Sequence, residues 1–93
     1  MAGYHYIYVL RSQKDREFYV GYTKNIEKRL EEHNSGHVRS TKERLPMKLI
    51  YWEGCINRQD AARREKYLKT AWGKRYIKGR VEKYLAGFAP LAP

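Results

Sequence analysis

The chain has 93 residues, enough for one domain around a single core and too few for a second. Twenty Lys and Arg against ten Asp and Glu give a net charge of +10, and 14% of residues are aromatic, nine of them Tyr. This composition excludes a disordered chain. No apolar run approaches the ~20 residues of a membrane span, and a single cysteine, Cys55, excludes an internal disulfide and a Cys-based zinc site.

Tyr4 to Leu10 is β-branched and aromatic and predicts a strand. The polar run Ser12–Glu17 predicts a hairpin loop, and Phe18–Tyr22 a second strand, with Gly21 marking a bulge or a close backbone approach. Asn25 is a suitable N-cap for a helix carrying Ile26, Leu30 and His33 on one face, and Gly36 is a suitable stop. Residues 37–46 form a basic loop, and Met47 to Cys55 a third strand. Asn57, with Asp60 three residues on, starts a second helix running to about Thr70. Gly73 is expected to break the pattern before a last helix over 74–86 carrying Ile77, Val81 and Leu85.

The expected architecture is α+β: a small three-stranded sheet flanked by helices, in the order β-β-α-β-α-α, with the first two strands antiparallel. Residues 1–86 form one domain and 87–93 a short tail. Met1-Ala2-Gly3-Tyr4-His5 lacks the basic and then apolar stretch of a secretory signal, so a cytoplasmic chain is expected.

The net charge favours polyanionic partners, nucleic acid before an acidic membrane, which would ask for a strongly apolar helix face. Solubility alone is the plainer explanation of such charge. Three features go further. Tyr4, Tyr6 and Tyr8 share one face of the first strand, and Leu10 continues it. Core packing accounts for Tyr4 and Tyr6. Arg29 and His33, four residues apart, lie one above the other on the first helix. They suit gripping a phosphate and moving a proton better than stabilising a helix, although a solvated face would also carry them. Glu65 falls in the stripe Ala61, Glu65, Leu68, Trp72, which places a carboxylate on the inward face. It needs a salt bridge, for which Arg63, Arg64 and Lys66 are at hand, or a metal.

Tyr6-Ile7-Tyr8 followed by Tyr19-Val20-Gly21 resembles the paired signature of the GIY-YIG nuclease family. The run from Tyr19 through Thr23, Arg29, Leu30, His33 and Asn34 to Gly36 extends the likeness, as does Arg64-Glu65-Lys66 further on. The resemblance covers Tyr6 to about Arg80 and is strongest to the family's short, stand-alone bacterial members. It implies a three-stranded antiparallel sheet flanked by helices, and metal-dependent cleavage of DNA in repair or recombination. One Mg²⁺ or Mn²⁺ ion would be held by Glu65. Tyr8 and Tyr19 would hold the water and act as general base or its partner. Arg29 would stabilise phosphoryl charge, His33 would orient a tyrosine or relay its proton, and Gly21 would let the backbone approach the phosphate.

Tyr6 stands where the family signature has Gly, Val20 where it has Ile, and residues 74–83 hold no Asn where members carry one downstream of the glutamate. The alternative is therefore a nucleic-acid-binding module of the same fold with weak or absent catalysis, or a subunit assisting a protein partner. Lys24, Arg39, Lys42, Arg44, Lys74 and Arg75 are candidates for contacts to the backbone of single-stranded, branched or duplex DNA.

Overall fold

In the computed structural model, which describes residues 3–88, three strands and four helices follow one another. They are β1 (His5–Ser12), β2 (Phe18–Thr23), α1 (Ile26–Asn34), β3 (Met47–Cys55), α2 (Arg58–Leu68), α3 (Ala71–Arg80) and α4 (Glu82–Ala86). The sheet is antiparallel in the order β2-β1-β3, so the most apolar strand lies in the middle. Tyr8 faces Gly21 on one side and Trp52 on the other. The register with β3 shifts between Val9 and Leu10, whose partners are Tyr51 and Leu49, leaving Ile50 as the extra residue of a bulge.

Helices cover both faces of β1, which explains why it is buried along most of its length. On one face Ile7, Val9 and Val20 pack with Ala61 and Leu68 of α2 and Ile77 of α3. On the other, Tyr8, Leu10 and Met47 pack with Tyr19, Leu30, Leu45 and Leu49. Truncating a fully buried side chain such as Leu68 or Ile77 to Ala costs about 2–5 kcal/mol.

Both expected N-caps form. The Asn25 side chain accepts from the Lys28 amide at 3.1 Å, and that of Asn57 from the Gln59 and Asp60 amides at 2.8 and 3.2 Å. Gly36 follows α1 with φ +79°, the left-handed conformation that a glycine adopts freely. A clamp fixes α2 to β3: Arg64 donates from Nε and Nη2 to the two Glu53 oxygens at 2.7 and 2.8 Å, and Tyr51 donates to Glu53 at 2.7 Å. The Arg64 guanidinium holds the Glu53 carboxyl below its usual range.

Three expectations are corrected. Gly73 does not end the helical pattern; it is buried inside α3, whose N-cap is Thr70, accepting from the Gly73 amide at 3.1 Å. A Cβ at Gly73 would overlap the backbone of Tyr67 and Leu68, so its role is close approach of α3 to the end of α2. The break between α2 and α3 falls earlier, at Lys69–Thr70; a second falls at Val81 (φ −114°, ψ 26°), so the helix expected over 74–86 is two, α3 and α4, and the order ends α-α-α. Trp72 does not continue the inward stripe of α2. It belongs to a new helix axis and is 67% exposed. Of the expected tail, Phe88 lies with its ring centroid 4.6 Å from the Arg11 guanidinium. The rest of the expected tail, 89–93, lies outside the described residues. No helix among the described residues is long and apolar enough to cross a membrane.

Candidate active site

Tyr8 occupies the centre of the sheet with 2% of its surface exposed. Its ring lies across the edge strand at Gly21, where a Cβ would overlap the phenol oxygen and Cζ. The space Gly21 leaves is thus filled by the Tyr8 phenol. The arrangement carries the hydroxyl from the middle strand out toward the sheet edge.

Two groups one helical turn apart meet that hydroxyl. His33 Nε2 lies 2.9 Å from Tyr8 Oη, and Arg29 donates to the same oxygen from Nε at 3.4 Å. Arg29 also donates from Nη1 to Glu32 at 3.2 Å. The other His33 nitrogen, Nδ1, is 2.7 Å from Thr41 Oγ1. Both His33 and Thr41 have no exposed surface. A hydrogen-bonded chain therefore runs Arg29–Tyr8–His33–Thr41. Tyr19 closes it from the side, its ring centroid 5.1 Å from His33 and 6.4 Å from Tyr8.

Burial and the Arg29 charge lower the His33 pKa from 6.5 to about 4, so the imidazole is neutral at pH 7. A neutral ring has one donor and one acceptor nitrogen, which matches its two hydroxyl partners. Either Tyr8 donates to Nε2 while Nδ1–H donates to Thr41, or both bonds run the other way. Burial raises the Tyr8 phenol above its ordinary value, opposed by the hydrogen bond from Arg29; the charge of Glu65 adds to the rise. That interaction links Glu65 electrically to the site.

The Glu65 side chain is 25% exposed and pairs with Lys69 at 3.2 Å. Arg63, Arg64 and Lys66, the suitors its sequence suggests, are not its partner; Arg64 is taken by Glu53 and Arg63 by Asp60. No group of three or more His, Cys, Asp or Glu among the described residues could hold a metal. A single carboxylate suits a cation such as Mg²⁺, which keeps several waters and takes further oxygens from phosphate. The Lys69 ammonium already places one positive charge against Glu65.

Of the expected backbone-contacting residues, Lys24 lies by the site: it lines, with Arg29, Asn25 and Lys28, an open cavity of about 410 Å³. The others are dispersed. Arg39 and Lys42 are exposed on the 37–46 loop. Arg44 donates to Asp15 at 2.7 Å and to the Glu17 carbonyl at 3.0 Å, tying that loop to the β1–β2 hairpin and holding the Asp15 carboxyl at about 2. Lys74 is 3.7 Å from Glu17, and the Arg75 guanidinium lies 4.8 Å from the Trp72 ring centroid. Thr41 was not among the expected residues. It lies in a loop of polar residues, and no sequence motif marks it.

The small sheet brings a tyrosine, an arginine and a histidine together at its edge. Residues 4–86 match the family described as the GIY-YIG catalytic domain, and the chain belongs to that family. Its relatives include UPF0213 proteins. One from Bacillus licheniformis is 47% identical over 77 residues, 78% of each chain. One from Clostridium perfringens is 43% identical over 65 residues, 69% of each chain. The solution NMR structure of a UPF0213 protein from Bacillus halodurans superposes with a TM-score of 0.52 at 28% identity, covering 82% of this chain and 83% of that one.

Proposed function

We propose that this chain is an endonuclease that hydrolyses DNA phosphodiester bonds with one divalent cation, Mg²⁺ or Mn²⁺, and serves DNA repair or recombination. The observation that carries the reading is the hydrogen-bonded Arg29–Tyr8–His33–Thr41 chain, which brings a phenol oxygen and a guanidinium together at the sheet edge. Arg29, part-exposed beside Lys24, would take a phosphoryl oxygen and stabilise charge developing there. Tyr8 would receive the proton of the attacking water. Its raised pKa keeps the phenol protonated in the free protein, so it acts as a base only after losing that proton. The Arg29 N–H favours the phenolate, and His33 and Thr41 fix the direction of the oxygen. Tyr19 would help hold the water. A cation at Glu65 would add positive charge that lowers the phenol pKa and neutralises the leaving oxygen. In-line attack would leave a 5′-phosphate.

The test is a cleavage time course on labelled single-stranded, duplex and branched DNA with Mg²⁺, Mn²⁺ or EDTA, with parent and Glu65→Ala run together. Metal-dependent products from the parent, lost in Glu65→Ala, are expected. No products on any substrate would overturn the reading and leave a binding module of the same fold.

A further inference from the structure

The sheet face that carries Tyr8 continues beyond the candidate active site as an aromatic surface. Tyr4 stacks on Tyr6 with centroids 6.4 Å apart, and Tyr6 meets Trp52 edge-on at 5.6 Å. Trp52 is the β3 partner of Tyr8, yet 53% of it is exposed, an unusual amount for an indole on a strand covered by a helix. It forms one wall of a cavity of about 620 Å³, with Tyr6, Ile26, Leu49, Lys24 and Asn25; Glu27 also lines it. Lys24 and Asn25 border both this cavity and the one that holds Arg29. The two openings are therefore neighbours at the start of α1, one holding a guanidinium and the other a flat indole, with Lys24 and Asn25 between them.

We propose that Trp52, edged by Tyr6 and rimmed by Lys24, is a stacking subsite for an unpaired nucleobase of the strand whose backbone lies at Arg29. The proposal deepens the nuclease reading and rests on it for the placing of that strand. Three features select this occupant. An exposed indole offers the π-face on which any base stacks. Lys24, shared by the two openings, and Lys28, beside Arg29, supply positive charge for a backbone that passes from one to the other. A paired base has both faces covered by its neighbours, and reaches such a platform only when it is out of the stack.

The test is binding in EDTA, where no cleavage interferes. In a Trp72→Phe background, Trp52 is the one tryptophan left to report. The probes are oligo(dT) of about 12 nucleotides, within the site size of small single-strand binders, a fully abasic strand of the same length, and a duplex. Saturable quenching of Trp52 by oligo(dT), with weaker quenching by the abasic strand, is expected. Trp52→Ala should weaken oligo(dT) binding about tenfold or more while barely changing duplex binding, and Trp52→Tyr should restore most of it. Unchanged Trp52 emission when anisotropy shows binding would overturn the subsite, as would equal affinity for the abasic strand or no oligonucleotide binding at all. An emission change that follows protein concentration alone would assign the surface to a second copy of the chain and overturn it too. A parent that cuts DNA while Trp52→Ala binds and cuts equally well retires the subsite and leaves the nuclease reading standing. Base-dependent quenching in a protein that cuts nothing keeps the subsite and retires the nuclease reading.

Discussion

Acidification should weaken this fold through His33 in a way that can be calculated. The imidazole has no exposed surface, and its pKa falls from 6.5 to about 4 on folding. Between those values the unfolded chain binds a proton that the native protein refuses, so stability rises with pH across that window. The contribution is fully present above pH 6.5, declines as pH falls toward 4, and levels off below. A fall from 6.5 to about 4 corresponds to about 3 kcal/mol, most of it lost by a pH of about 4.5. That is a large share of the roughly 5–14 kcal/mol expected for a domain of this size. Urea unfolding of the parent and of His33→Gln, each at pH about 7.5 and about 4.5, reads it. The parent should lose about 2–3 kcal/mol more than the variant between the two conditions. Taking the difference cancels His5, whose pKa is also lowered, first by burial. Asp15 does not intrude, because its clamp to Arg44 is lost only as pH falls from 3.8 through about 2. Identical pH dependence in the two proteins, or an NMR titration of His33 centred near 6.5, would refute a buried neutral imidazole.

Three further outcomes follow from the geometry. Gly73→Ala should destabilise by about 2 kcal/mol or more, because its methyl meets backbone, while Gly79→Ala in open space on the same helix should stabilise by up to about 1 kcal/mol; thermal melts of both decide it. Gly21→Ala should cost about 1–3 kcal/mol in urea unfolding and remove most cleavage, since the Tyr8 ring must move; parent-like activity would show that the position of the phenol is not critical. With metal saturating, the cleavage rate should rise with pH from about 7, by about tenfold per unit while the phenol remains mostly protonated, and level off above its metal-lowered pKa. A flat profile would place the base elsewhere.

The strands and caps were legible because local chemistry decides them. Tyr4 to Leu10 is β-branched and aromatic throughout, Asn25 and Asn57 can each satisfy amides of their own helix, and Gly36 can turn left-handed without strain. Gly73 is not legible in the same way, because glycine has the same appearance whether it breaks a helix or admits a neighbouring backbone, and only the α2–α3 crossing separates the two. Trp72 departs from the stripe because the helical period does not carry across the change of axis between α2 and α3. At the site, Arg29 and His33 could be paired from their spacing alone. Tyr8 lies 25 residues from His33, and the sequence linked them only through the family resemblance. Thr41 and the Arg44–Asp15 clamp were invisible for a related reason: each joins a loop to a distant element, and neither leaves a local pattern.

The central claim is that Tyr8, directed by His33 and supported by Arg29, is the proton acceptor of a metal-dependent nuclease. Single-turnover cleavage of labelled DNA by the parent and by Tyr8→Phe, with binding measured separately in EDTA, tests it most directly. Tyr8→Phe is expected to bind DNA like the parent and to cleave it at least about a hundredfold more slowly. Cleavage by Tyr8→Phe at the parent's rate would contradict it.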